Sequence, residues 1–221
     1  MISAKPHDKM PIALVTGFDA FGGDAINPSW LAAQALHGDI VHHHRVVAAR
    51  LPTEFAASRK VLAALLRQHT PSVVLCLGLA SGRSALSIER IAINVQDARI
   101  ADNAGAQPVD VPVVKSGPAA YFSTLPIKAM LQTLTADGIP AEVSQTAGTF
   151  VCNHVFYALM HALKQQRRGF KARGGFMHVP CLPDQGTPNM PLTQTVQGLR
   201  IALACALSTL KDHPVAAGTL S

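Results

Sequence analysis

Short apolar runs alternate with amphipathic stretches along this chain. Ile12 to Thr16 is brief and mostly apolar, the pattern of a buried strand. Asn27-Pro28-Ser29 then opens a helix, because asparagine caps free N–H groups and proline suits the first helical position. Gly38 ends that helix, and His42 to Leu51 reads as a strand leading to Pro52. Val61, Leu62, Leu65 and Leu66 form one helical stripe, stopped by Pro71. Ser72 to Leu77 is continuously apolar, as a central parallel strand is, and Ile88 to Val95 alternates like a strand. Leu125 to Ala136 has helical spacing and is closed by Gly138-Ile139-Pro140. A short strand follows at Ala141 to Gln145, and an apolar helical pattern begins at about Cys152 and runs through Phe156, Leu159, Met160 and Leu163. Gly174 to Val179 predicts another strand and Pro191 to Leu210 a last helix.

This alternation predicts an α/β domain with a mostly parallel, twisted sheet and helices on both faces. With 221 residues the natural expectation is one compact domain, and an apolar fraction of 48% supplies a sizeable core. No internal repeat and no low-complexity linker interrupts it. The connection from Asp97 to Pro118 lacks strong periodicity, and a loop of that length in a compact domain is usually functional.

Composition narrows the class further. Four scattered cysteines make no disulfide framework and no C-x-x-C pair, which fits reduced thiols and a cytoplasm. The N-terminal stretch has no secretory pattern, and no run of eighteen apolar residues suggests a membrane span. A net charge of +6 raises the question of nucleic acid. Only 14% of residues are charged, and the basic cluster Arg167-Arg168-Gly169-Phe170-Lys171-Ala172-Arg173 lacks stacking aromatics, so a solvated loop is expected there and no nucleic-acid partner. His42-His43-His44 on a strand would point to alternate faces and could not chelate one metal together, so neither a metal nor a cofactor is expected.

In such folds ligands bind beyond the carboxyl ends of the strands. Four segments fall there: Gly17 to Asn27, Gly78 to Arg83, Gly148 to Cys152, and His178 to Gln185. Cys152 sits where a strand gives way to a helix N-terminus, whose free N–H groups and dipole favour a thiolate and can hold an oxyanion. It could equally be a small buried hydrophobe. Gly17-Phe18-Asp19-Ala20-Phe21-Gly22-Gly23 lacks the pattern of a phosphate loop, and its phenylalanines are either core or the walls of an apolar pocket. His178 at a strand end is placed as a general base or as a structural histidine. Glu89 lies among apolar neighbours and needs a partner, which is either Arg90 or an imidazole.

Four blocks carry a resemblance: LVTGFDAFGGDAINPSW, SGRSALSIERIAINVQDARIADNAG, GTFVCNHVFYALMH and GFMHVPCLPDQ. In this order, from residue 14 to residue 185, they resemble pyroglutamyl peptidase I, a family of cysteine peptidases that remove an N-terminal pyroglutamyl residue from peptides. The resemblance implies a three-layer α/β/α sandwich, and bacterial members are commonly homotetramers. It implies Cys152 as nucleophile, His178 as base and Glu89 as acidic orienter, with Arg99 beside the oxyanion. The ring pocket would use Phe18, Phe21, Thr53, Phe150 and Val151, with Asn27 close by. Peptides beginning with pyroglutamate are the implied partners.

Two positions depart from the family pattern. Leu79 stands where members often carry glutamine, which removes an amide near the pocket, and Cys181 stands where an aromatic residue is common, placing a second thiol near the base. Cys76 and Cys205 read as core. Three rival functions remain: an amidase on another lactam-capped compound, a silent binding protein, and a nucleic-acid-binding module.

Overall fold

The computed structural model describes residues 10–165 and 172–218. Most of the basic cluster after Gln165 lies outside the described residues. The element order is β1 (Ile12–Phe18), α1 (Pro28–Ala35), β2 (Ile40–Val41), β3 (His44–Leu51), α2 (Phe55–His69), β4 (Val73–Leu79), β5 (Leu86–Glu89), β6 (Ile91–Ile93), β7 (Ala120–Phe122), α3 (Ile127–Ala136), β8 (Ala141–Ser144), α4 (Val151–Lys164), β9 (Arg173–Val179) and α5 (Leu192–Ser208), with a short 3₁₀ turn at Pro183–Gln185.

Seven strands form the central sheet in the order β2-β3-β1-β4-β9-β5-β8. β3, β1, β4 and β9 are parallel, while β5 pairs antiparallel with β9 and carries β8 parallel to itself. The inner strands β1, β4 and β9 are nearly all buried, which explains their unbroken apolar composition. One face packs α1, α3 and α5 around Val15, Leu75, Leu77, Ile88 and Met177. The other packs α2 and α4 around Leu14, Val74, Cys76 and Phe176. The result is the α/β/α sandwich with a mostly parallel sheet that the alternation predicts.

Several boundaries differ from the sequence expectation. His42 and His43 lie in a left-handed turn (φ 43° and 61°) between β2 and β3, so only His44 of the three histidines is on a strand. The expected strand from Ile88 to Val95 is two strands in two sheets. The chain leaves the main sheet at Arg90, and β6 pairs with β7 in a separate ribbon packed against α4. Ala120–Phe122, where the sequence pattern predicts no element, supplies that partner.

The Asp97–Pro118 connection is fastened by its own polar groups. The Asp102 carboxylate accepts from the backbone N–H groups of Phe55 (2.8 Å), Ala104 (2.9 Å) and Ala106 (2.8 Å). It thereby satisfies a free donor at the start of α2 from across the fold. Asn103 donates its backbone N–H to Thr53 O and its side-chain amide to Ala20 O. The long loop thus supports two segments that line the candidate site.

Candidate active site

Gly17, at the end of β1, has room for no side chain, because a Cβ there would run into the Ser29 backbone. That close approach brings α1 onto the strand end, and one hydrogen-bond chain holds the turn between them. Asn27 accepts from Ser29 N–H (3.0 Å) and from the Ser29 hydroxyl (2.8 Å), and Ser29 Oγ accepts from Phe18 N–H (3.0 Å). Asn27 therefore caps α1 as expected, and its amide also donates to Asp19 O (2.9 Å). The Thr53 hydroxyl donates to the same carbonyl at 2.8 Å. These bonds set one wall of a pocket lined by Phe18, Phe21, Asn27, Thr53, Leu79, Phe150, Val151 and Cys152. All six expected ring-pocket residues are in it. Phe18 is both core and wall, buried against Phe176 with ring centroids 6.4 Å apart. Phe21 is half-buried and faces Phe150 at 6.2 Å. In this conformation the pocket encloses about 20 Å³, the room of roughly one water.

Cys152 occupies the second position of α4, behind Phe150, which provides no side-chain cap. The first N–H groups of the helix are left open to a ligand. Asn153, fully buried, anchors the turn: its Oδ1 accepts from Ile93 N–H (3.0 Å) and its Nδ2 donates to Ile93 O (2.9 Å) and Val95 O (3.0 Å). Sequence reasoning missed this residue, although an amide inside an otherwise apolar helix pattern is a signal that it is buried with a purpose.

The thiol packs onto the bare backbone of Gly78, where an added Cβ would fall 2.7 Å from Cys152 Sγ. Gly78 is the register partner of His178 in the parallel β4–β9 pair, so the thiol and the imidazole lie over one row of the sheet, on the same face. His178 stands beside Phe176 with ring centroids 4.9 Å apart. Across the antiparallel β5–β9 pair, Ser87 faces His178, which puts Glu89 on that face one diagonal step away. His178 Nδ1 donates to Glu89 Oε1 at 2.7 Å, with both residues buried. This fixes the tautomer and leaves Nε2 as the basic nitrogen.

Of the two partners the sequence allowed for Glu89, the imidazole is the correct one. Arg90 donates elsewhere, to Gln145 Oε1 (2.8 Å) and to Ala217 O (3.0 Å). The arginine that does reach Glu89 is Arg83, whose Nη1 donates to Oε1 at 2.9 Å. The electrostatics of the cysteine also differ from expectation. Burial pushes the Cys152 thiol up to about 12 and the Glu89 charge adds to this, while Arg83 opposes it. Desolvation therefore opposes the helix N-terminus, which favours the thiolate.

Arg99 is exposed and lines a separate recess with Asp97, Ile100, Gly148, Thr149 and Phe150. Phe150 is the wall shared by this recess and the ring pocket. Cys181 is buried behind the site, with its thiol donating weakly to the Ser81 hydroxyl (3.5 Å). Cys76 and Cys205 are buried in a strand and a helix.

A family model described as pyroglutamyl peptidase matches residues 11–209. A pyrrolidone-carboxylate peptidase of Cupriavidus taiwanensis is 54% identical over 208 residues, covering 92% of this chain and 96% of that one. Pyrrolidone-carboxylate peptidase 1 of Ralstonia nicotianae is 53% identical over 216 residues, covering 96% of this chain and all (100%) of that one. Among solved structures, the pyroglutamyl peptidase I from Bacillus amyloliquefaciens superposes with a TM-score of 0.90 at 41% identity, covering 94% of this chain and 100% of that one. The pyrrolidone carboxyl peptidase from Thermococcus litoralis gives 0.88 at 36% identity, covering 92% and 97%.

Proposed function

From the chain's membership of the pyroglutamyl peptidase family, which its sequence and fold both show, we propose that Cys152, His178 and Glu89 are its catalytic triad. The protein is a cysteine peptidase that removes N-terminal pyroglutamyl residues from peptides through an acyl-enzyme. The observation that carries the triad is the buried 2.7 Å bond from His178 to Glu89, on the sheet row over which the Cys152 thiol sits.

The lactam ring of the substrate is flat and uncharged. It enters between Phe18, Phe21 and Phe150, with Thr53 and Asn27 at the edge. His178 Nε2 takes the thiol proton as Cys152 attacks the pyroglutamyl carbonyl. The open N–H of Cys152 at the start of α4 holds the tetrahedral oxyanion, and Arg99, which the family resemblance sets beside it, lines the neighbouring recess across Phe150. Glu89 keeps the imidazole oriented and stabilises its protonated form. The imidazolium passes its proton to the departing peptide amine, leaving a thioester. Water, deprotonated by His178, then releases pyroglutamate and restores the thiol. Turnover of a pyroglutamyl-linked chromogenic amide is the direct test. An inactive protein with an alkylatable Cys152 would sink the reading.

We assign the whole chain to one catalytic domain acting as a homotetramer, as the family resemblance implies, on peptides beginning with pyroglutamate. No helix of the described residues is long and apolar enough to cross a membrane. All four cysteines stand as free thiols, which suits the reducing cytoplasm where we place the enzyme.

A further inference from the structure

The side chain of Glu89 is 0% exposed, and a buried carboxylate without a compensating charge is strongly disfavoured. Two donors converge on its Oε1, His178 Nδ1 at 2.7 Å and Arg83 Nη1 at 2.9 Å, while Oε2 has no partner among the described residues. His178 must be neutral to accept the thiol proton, so in the resting enzyme it brings no charge to Glu89. The other titratable groups around this face do not supply one either. Cys152 from α4 and Cys76 from β4 are thiols, Glu142 on β8 accepts from the Ser87 hydroxyl, and Arg90 is turned to Gln145 and Ala217. Cys181, after β9, is turned to Ser81. Among the described residues Arg83 is the one cation in contact with Glu89.

Arg83 makes a second bond. Its Nη2 donates to Thr146 O at 3.3 Å, in the turn that leads from β8 to the nucleophile helix. That turn is already folded on itself: the Ser144 hydroxyl donates to Thr146 O at 3.0 Å, and Thr146 Oγ1 accepts from Gly148 N–H at 3.1 Å. One guanidinium therefore touches the orienting carboxylate with one nitrogen and the approach to Cys152 with another. With 28% of its side chain exposed, it keeps part of its hydration and loses little by this placement.

We propose that Arg83 is a positioning residue for the reaction, holding Glu89 ionised and aimed at His178 while tying the loop before β5 to the turn that delivers Cys152. The proposal rests on the triad assignment. Without Arg83 the buried carboxylate has two ways to lose its isolated charge. It can take a proton, which removes the support for the imidazolium, or it can hold a proton on His178, which removes the base. Arg83 also draws the thiol of Cys152 down against the push of Glu89, so both partners of the proton transfer respond to it.

The test compares Arg83→Met and Arg83→Lys with the wild-type enzyme, reading kcat, KM and the pH profile of kcat/KM on a pyroglutamyl amide. Arg83→Met should lower kcat by roughly 10- to 100-fold with KM changed by less than about threefold, because the loss lies in the transition state and not in ring binding. Its acidic limb, where His178 must shed a proton, should move up by about one pH unit, because an uncompensated carboxylate holds the imidazolium. Arg83→Lys restores the charge without the fork, so the limb should return to the wild-type position while kcat recovers only in part. An unmoved limb and unchanged kcat in folded Arg83→Met would overturn the proposal. Should that variant not fold, Arg83→Lys decides: wild-type kcat overturns the proposal, and a reduced kcat with a wild-type limb supports it. Cys152→Ser separates the two layers. If Cys152→Ser retains turnover, the triad assignment falls, whatever Arg83 does. If it is inactive while Arg83→Met behaves as wild type, the Arg83 proposal fails alone.

Discussion

Glu89 and His178 are hydrogen-bonded at 2.7 Å across β5 and β9, two strands that run in opposite directions, and neither side chain is open to solvent. In a low-dielectric setting this bond fixes both the ring orientation and the nitrogen that carries the proton. His178→Ala should lower turnover by about 10²–10⁴-fold, the usual worth of acid–base catalysis. Glu89→Gln keeps an oriented hydrogen bond without the charge and should cost less. The double variant should behave like His178→Ala alone, since groups acting as one unit are not additive. Full activity of folded Glu89→Gln in steady-state kinetics would remove Glu89 from the triad.

Burial and the Glu89 charge hold the Cys152 thiol near 12 in the free enzyme. Below that value the thiolate fraction, and with it the rate of iodoacetamide alkylation, should rise about tenfold per pH unit. Cys152 should still react before Cys76, which is fully buried and likewise pushed up to about 12. Cys152→Ser should be nearly inactive, and Cys76→Ser should lose stability only. Rates that stay flat between pH 6 and pH 8, the signature of a standing thiolate–imidazolium pair, would contradict this picture.

The ring pocket offers aromatic and aliphatic walls, with no charged side chain in its lining. A pyroglutamyl amide should be cleaved, and the matching glutamyl and prolyl amides should not. An open glutamyl residue brings a carboxylate and an ammonium, and burying either unpaired costs several kcal/mol, about 10²-fold or more in kcat/KM. Comparable rates on glutamyl and pyroglutamyl amides would sink the pocket assignment.

Gly78 carries the row on which the thiol and the imidazole meet. Gly78→Ala would bring a methyl to 2.7 Å from Cys152 Sγ and 2.8 Å from the Phe176 ring, so the thiol must move. Displacement of a reacting group by about 1 Å costs on the order of 10²-fold in rate. The expected outcome is a folded protein with KM little changed and kcat sharply reduced. Unchanged kcat would show that the thiol has slack at that row.

His154, two residues after Cys152, is 4% exposed, and neither ring nitrogen makes a well-formed hydrogen bond among the described residues, the Phe55 backbone being its nearest polar support. Burial, with Arg59 nearby, lowers its pKa from 6.5 to about 4. Unfolded chains therefore bind a proton here between these values that the folded protein refuses. Stability should be full above pH 6.5 and decline as pH falls towards 4, by about 3 kcal/mol in all. Urea midpoints of the wild-type protein and His154→Leu across that window check it. A slope unchanged by the substitution would assign the acid sensitivity elsewhere.

Much of this architecture was legible in the residues, and what was not has physical reasons. Continuous apolar runs marked β1, β4 and β9 because a strand covered on both faces has no polar side to betray it. The Asn27-Pro28 start of α1 was readable because capping is local chemistry. The break at Arg90 was invisible, since alternation continues through it and only tertiary pairing sends Ile91–Ile93 to a second ribbon. The reversal of β5 and β8 leaves no mark on their composition. The positive φ of His42 and His43 belongs to a turn that histidine rings do not announce. In the site, type and place left two readings each for Cys152, His178 and Glu89, and it was the resemblance to the family that singled them out as a set. Arg83 did not stand out, because an arginine between Gly82 and Ser84 looks like any solvated loop residue until its partner is known.

The strand that bears His178 is the last to be synthesised, yet it lies inside the sheet, between β4 and β5. Until it is in place, β2-β3-β1-β4 and β5-β8 have open edges facing one another and no common hydrogen bonds. A chain ending before Arg173 therefore lacks His178, and it also lacks the strand that joins β4, beside the Cys152 thiol, to β5, which carries Glu89. The strand that completes the sheet and the imidazole that meets Glu89 thus come from the same seven residues.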